Sequence, residues 1–306
     1  MLNKLLSLFF ALTIVSTLTA HASGPLDLGY SVAIKNVTPE KMHYAKSVGI
    51  SCIETSLAEF IDKQNLSFLS SDKEIVESLK AAKLAADEAG IKIWSIHMPF
   101  SNKIDLSLAD EIARKKVVAL HKKVIEFCTI LQPEIILFHP SYFLGRNERE
   151  LRKSQLIKSA KELNKVVKKQ GFTMVIENML GTDLLTADAK REYPLCRDVS
   201  ETKEIMSKLP ESIGSAIDFN HIKNPQELIL AMGSRLKTVH VADGDAIKER
   251  HYFPCSGEGL NDWNAILLAL DKVRYKGPFL YESHIKDVKD LKSCYDTLYK
   301  DFKENH

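Results

Sequence analysis

Short apolar runs alternate with amphipathic stretches along most of the chain. LDLGYSVAI at 26–34, GISCIET at 49–55, KIWSIH at 92–97 and EIILFH at 134–139 are each too short for a typical helix and rich in aliphatic residues. FTMVIE at 172–177, GSAIDF at 214–219, LKTVHV at 236–241 and FLYE at 279–282 share that character, so the pattern predicts eight strands. Near-continuous apolarity, rather than strict alternation, indicates strands covered on both faces, as in a parallel sheet. Between them a helical period predicts helices over 39–47, 72–89, 107–131, 148–170, 200–208, 225–232, 261–273 and 287–302. Thr38 reads as an N-cap, and Gly49, Gly90 and Gly171 read as helix stops.

Eight strand–helix units are the number that closes a barrel, so the expected fold is α/β, a single (β/α)8 TIM barrel. An open doubly wound sheet would call for a glycine-rich phosphate turn, and the chain has no G-x-G-x-x-G. The first residues break the pattern. One Lys at position 4, an apolar stretch from Leu5 to Leu18 and the triplet Ala20-His21-Ala22 predict a signal peptide over 1–22, leaving the barrel over 23–306. Fourteen residues interrupted by Ser7, Thr13, Ser16 and Thr17 fall short of the roughly 20 that span a bilayer, so no stable membrane anchor is expected. The expected location is outside the cytoplasm, periplasmic or secreted.

The strand ends carry the chemistry. His97, His139, Glu177, Asp218, His221, His240 and Glu282 all fall at or just past the carboxyl ends of predicted strands, where a barrel gathers them at one rim. Three carboxylates and one imidazole, from Glu177, Asp218, His240 and Glu282, form a hard, mostly oxygen donor set suited to Mn²⁺, Mg²⁺ or Co²⁺ and tolerant of Zn²⁺. Any one of these residues alone is an ordinary capped polar group; four consecutive strands ending this way are not explained by packing. Glu54, at the end of strand two, and Lys248 or Arg250, in the loop after strand seven, are candidates to hold hydroxyls or an anionic group of a substrate. Trp94 alternates away from His97 and is expected in the core, Trp263 is expected to anchor the seventh helix, and Gly257 and Gly259 to permit a tight loop.

Here the sequence resembles the xylose-isomerase-like barrel superfamily, which includes sugar and sugar-phosphate isomerases and epimerases, inosose dehydratases, hydroxypyruvate isomerases and endonuclease IV. The resemblance rests on SIHMPF, ILFHPS, VIENML, AIDFNH, VHVADGD, HYFPCSGEGLNDW and GPFLYESH, which span strands three to eight. It implies a divalent ion on Glu177, Asp218, His240 and Glu282. It also implies catalytic roles for Glu177 and Glu282, moving a proton on either face of an enediolate, and substrate contacts from His221, with His97, His139 and His251 nearby. The implied activity is isomerisation or epimerisation of a sugar, sugar phosphate or keto-polyol; dehydration or lyase action on a keto-sugar begins with the same proton abstraction.

A second reading is a zinc phosphodiesterase resembling endonuclease IV, whose nine ligands have counterparts in His97, His139, Glu177, Asp218, His221, His240, Glu249, His251 and Glu282. Glu249-Arg250-His251 has Glu where that family has Asp. Charge weighs against nucleic acid as a partner: the chain carries 42 basic and 40 acidic residues, and removing Lys4 with the leader leaves 41 against 40. A third reading is a sugar-binding module that performs no chemistry. A homo-oligomer is compatible with the sequence. Five cysteines without tight spacing indicate no disulfide framework; either all are free or Cys196 and Cys255, both in loops, bridge in an oxidising compartment.

Overall fold

Every one of the eight apolar runs becomes a parallel strand, and the strands close on themselves in chain order. The computed structural model describes residues 25–180 and 191–305. The strands are β1 (Leu28–Ser31), β2 (Cys52–Ser56), β3 (Lys92–His97), β4 (Ile135–Phe138), β5 (Thr173–Glu177), β6 (Ile213–Asp218), β7 (Leu236–Val241) and β8 (Phe279–Tyr281). Parallel pairing of β1 with both β2 and β8 completes the ring. The helices are α1 (Pro39–Ser47), α2 (Asp72–Glu88), α3 (Glu111–Leu131), α4 (Arg149–Lys169), α5 (Val199–Ser207), α6 (Pro225–Met232), α7 (Trp263–Lys272) and α8 (Lys289–Asn305), one after each strand.

Capping sets the helix starts. Thr38 accepts the Lys41 N–H with Pro39 in the first turn, and Ser71 and Glu74 form a reciprocal capping box at α2. Asp110, Asp198 and Asp262 cap α3, α5 and α7 by accepting the N–H three residues on. The expected start of α3 at 107 is displaced to Glu111 because Asp105 Oδ1 accepts both the N–H and the hydroxyl of Ser107 at 2.7 Å, holding that segment in a turn. Gly90 ends α2 with φ +67°, a conformation that disfavours a side chain.

Trp94 departs from expectation. Ile53 pairs with Ile93 and Glu54 with Ser95, so Trp94 is the extra residue of a bulge in β3. The bulge breaks the two-residue alternation and puts Trp94 on the same side as His97, inside the barrel. There it packs on Ile135, Leu137, Val175 and Ala216 and donates its indole N–H to Thr238 Oγ1 at 3.1 Å. It is half-buried, packed against this inner cluster and lining a second cavity with Glu134, Thr173 and Lys237.

Two short ribbons, Ile61–Asp62 with Ser67–Phe68 and Leu144–Gly145 with Arg191–Glu192, lie within loops after β2, β4 and β5. Cys255 is bonded to Cys294 of α8, with Cα atoms 5.8 Å apart, so a Cys196–Cys255 bridge and five free thiols are both corrected. Cys52, Cys128 and Cys196 are free and buried. Among the described residues no helix is long and apolar enough to cross a membrane; the expected leader over 1–22 lies outside them.

Candidate active site

A cavity of about 520 Å³ opens at the carboxyl end of the barrel. His97, His139, Glu177, His221, Glu249, His251 and Glu282 line it, while Asp218 and His240 lie fully buried at its floor. His240 is the hub: its Nδ1 faces Glu177 Oε1 at 2.9 Å and Glu282 Oε2 at 2.6 Å, and its Nε2 faces Glu54 Oε1 at 3.0 Å. Ser95 donates to Glu54 Oε2 at 2.6 Å, fixing that carboxylate against the ring. Glu54 is completely buried and does not line the cavity, so the expectation that it touches substrate is corrected: the bulge-shifted register of β2 against β3 aims it at His240 instead.

Three of the remaining imidazoles share one arrangement, while the Nδ1 of His139 is buried without a hydrogen-bond partner. The Nδ1 of His97 lies 3.1 Å from the carbonyl of Met98, that of His221 lies 2.9 Å from the carbonyl of Asn178, and that of His251 lies 2.6 Å from the carbonyl of Glu282. An N–H donated there leaves Nε2 of each ring pointing at a carboxylate. His97 and His139 present Nε2 to Glu177 Oε2 at 3.6 and 3.1 Å. His221 and His251 both present Nε2 to Glu249 Oε2 at 3.0 Å, and His221 also faces Asp218 Oδ2 at 3.6 Å.

A neutral ring so oriented offers a lone pair to another lone pair. Only a proton on Nε2 or a cation between the two resolves that contact, and Glu177 Oε2 and Asp218 Oδ2 are buried without a hydrogen bond. Ligand atoms lie within 4.8 Å of one another in three groups: His97, His139 and Glu177; Glu177, Asp218, His240 and Glu282; and Asp218, His221 and His251. Glu177 and Asp218 each belong to two groups. The donor set therefore fits a divalent ion, with oxygen predominating in the central group and nitrogen in the flanking two.

The electrostatics of the site follow from the same crowding. Burial disfavours an imidazolium at His97, yet the neighbouring carboxylates Glu177, Glu54 and Glu282 outweigh it and raise its pKa to about 9. Burial likewise opposes protonation of His221 and His240, and neighbouring carboxylates, Asp218 for one and Glu282 for the other, carry both well above the usual range. His139 goes the other way, because burial prevails. Burial pushes Asp218 up to about 6, with Glu282 and Glu177 adding to the rise against His221 and His251. Burial opposes the charge on Glu282 too, but His240 and His97 hold its carboxyl at about 2.

Arg250 is not brought into the cavity. Its guanidinium turns to Asp245, with Nε 3.9 Å from Oδ2, and Lys248 supplies a cation to the lining instead. Two residues that the sequence pattern does not single out organise the site. Asn178 donates to the Asp218 carbonyl and accepts the Asp218 N–H, tying β5 to β6. Asn220 donates to Glu249 Oε2 and accepts the N–H groups of Arg250 and His251, shaping the loop after β7. Their one signal in the sequence is position, each lying one or two residues past a ligand-type carboxylate. Trp263 anchors α7, as expected, by donating to Asp243 Oδ2 at 2.9 Å. Gly259 admits the Asp243 carboxylate where any Cβ would collide with it.

The family model described as xylose isomerase-like TIM barrel matches residues 42–297. An uncharacterized protein of Methanocaldococcus jannaschii is 25% identical over 207 residues, 67% of this chain and 76% of that protein. Among solved structures, a D-tagatose 3-epimerase-like protein superposes with a TM-score of 0.71 at 19% identity, covering 90% of this chain and 98% of that one. The D-allulose 3-epimerase of Methylomonas sp. superposes with a TM-score of 0.67 at 17% identity, covering 92% and 99%.

Proposed function

The chain belongs to the xylose isomerase-like TIM barrel family, and we propose that within it the protein is a divalent-metal-dependent isomerase or epimerase of a carbonyl-bearing sugar or sugar derivative. The observation that carries this is the convergence of two carboxylates, Glu177 and Glu282, on one imidazole nitrogen of His240 at the floor of a cavity with room for a sugar. The superposed D-allulose 3-epimerase and D-tagatose 3-epimerase-like protein support a sugar as the substrate class.

A divalent ion held by Glu177, Asp218, His240 and Glu282 would polarise a carbonyl oxygen and take up negative charge developing beside it. One of the carboxylates Glu177 and Glu282 removes the proton from the carbon next to that carbonyl, and the bonding pair moves onto the carbonyl oxygen. Return of a proton from the other carboxylate to the opposite face of the same carbon gives the epimer; return to the former carbonyl carbon, with the hydroxyl proton passing from one oxygen to the other as the new carbonyl forms, gives the isomer. His221, with Nε2 aimed at the Asp218–Glu249 pair, orients a substrate hydroxyl, and Glu54 holds His240 in place. Export, through the leader expected over 1–22, is part of this proposal.

Deuterium uptake from D2O into keto-sugars at the carbon beside the carbonyl tests it. Glu177→Gln and Glu282→Gln are each expected to keep the fold and lose roughly 10²–10⁴-fold in exchange, the usual worth of a positioned acid or base. Exchange at the wild-type rate in Glu177→Gln sinks the assignment.

One observation favours a second reading. The flanking groups around His97 and His139 and around His221 and His251 give room for more than one ion, an arrangement suited to clamping a phosphate ester. Hydrolysis of bis(p-nitrophenyl) phosphate by zinc-loaded protein, with no exchange on any keto-sugar, would select that reading.

A further inference from the structure

The polar groups occupy the floor of the cavity; its side is a different surface. Phe100, Tyr142, Phe143, Met179, Leu180 and Pro194 form a continuous apolar and aromatic wall contributed by the loops after β3, β4 and β5. Phe100 lies against His139 with ring centroids 3.8 Å apart, so the wall meets the ligand cluster directly. Tyr142 and Phe143 stand perpendicular to each other at 5.6 Å.

This wall is built into the fold. The Tyr142 N–H is accepted by Asp105 Oδ2 at 2.7 Å, and that oxygen also receives Arg152 of α4 at 2.7 Å. Arg149, one turn earlier on α4, donates to the carbonyls of Tyr193 and Pro194 at 2.9 and 3.0 Å and is paired with Glu201. The first turn of α4 thus pins both halves of the wall through Arg149 and Arg152. Among the described lining residues, Lys248 is the one lysine or arginine.

A phosphorylated sugar calls for clustered Arg and Lys or a nest of backbone N–H groups. A bare sugar offers hydroxyls, which an apolar wall leaves unpaired at a cost. From this juxtaposition, and resting on the isomerase assignment above, we infer that the substrate is an uncharged keto-glycoside, a glycoside with a carbonyl on its sugar ring, whose ring sits over the ligand cluster and whose apolar aglycone packs on the Phe100–Phe143 wall. Aromatic faces suit such a group, and the cavity extends well past a single hexose ring.

Calorimetry on the Mn²⁺-supplemented protein with phenyl β-D-glucopyranoside, methyl β-D-glucopyranoside, glucose and glucose 6-phosphate tests the inference. The phenyl glucoside is expected to bind about ten-fold more tightly than the methyl glucoside, from the apolar area it hides. Phe143→Ala should erase that preference and Phe143→Leu should keep most of it, while glucose 6-phosphate gains nothing over glucose. Equal affinities of the two glucosides, no binding of either, or tightest binding of glucose 6-phosphate overturns it. Deuterium uptake into keto-sugars judges the parent assignment separately: uptake alongside a flat glucoside ratio removes the aglycone wall alone. Absent uptake with phosphodiester hydrolysis removes the parent assignment, and the aglycone with it.

Discussion

At the scale of single residues, the ring of His240 is held from behind. Glu54 faces its Nε2 and Ser95 holds Glu54, so Nδ1 is left to the ligand side. A carboxylate behind a ligating imidazole fixes the tautomer and raises its basicity, and its loss commonly costs 10–100-fold in metal affinity. Glu54→Gln is therefore expected to fold normally and to bind Mn²⁺ roughly 10–100-fold more weakly by calorimetry; unchanged affinity would separate Glu54 from the site. The ligand-type residues themselves were legible because charged or ionisable groups ending apolar strands have few packing explanations. Glu54 and Arg250 were not placed correctly, for physical reasons. A one-residue bulge in β3 decided where Glu54 points, and a local contact with Asp245 turned Arg250 away. Asn178 and Asn220 escape any charge-based pattern, because their contribution is backbone hydrogen bonding.

At the scale of elements, the capped starts of α1 and α2 were readable to the residue, whereas α3, although Asp110 caps it, was read four residues early because the turn at Asp105 holds Ser107 outside the helix. The packing of α3 on β4 holds a testable group. His121 is buried with its ring edge-on to Phe138 at 5.2 Å, and burial pushes its pKa down to about 3. The unfolded chain takes up this proton near pH 6.5 and the folded one not until about pH 3. Between those values the unfolded state binds one proton more, so stability falls as pH falls, by about 1.4 kcal/mol per unit. Urea midpoints at pH 7.0 and pH 4.5 should show His121→Leu losing about 2–3 kcal/mol less than the wild type over that interval. Equal losses in both proteins would mean that His121 is charged in the native state.

At the scale of the whole molecule, barrel closure was legible because eight two-sided apolar strands alternating with helices admit few other architectures. The two-residue ribbons and the Cys255–Cys294 bond were not, since each depends on loops that meet only once the barrel has formed. The barrel gathers Glu177, Asp218, His240 and Glu282 from four successive strands, and in their crowding Glu177 Oε2 and Asp218 Oδ2 are buried without a hydrogen bond. Elemental mass spectrometry of protein purified without chelator or added metal tests whether that crowding is a metal centre. At least one Mn, Mg, Co or Zn per chain, lost in Asp218→Asn while the circular dichroism spectrum is kept, is the predicted result. A wild-type protein that carries no divalent metal, and gains none on dialysis against Mn²⁺ or Zn²⁺, would contradict it.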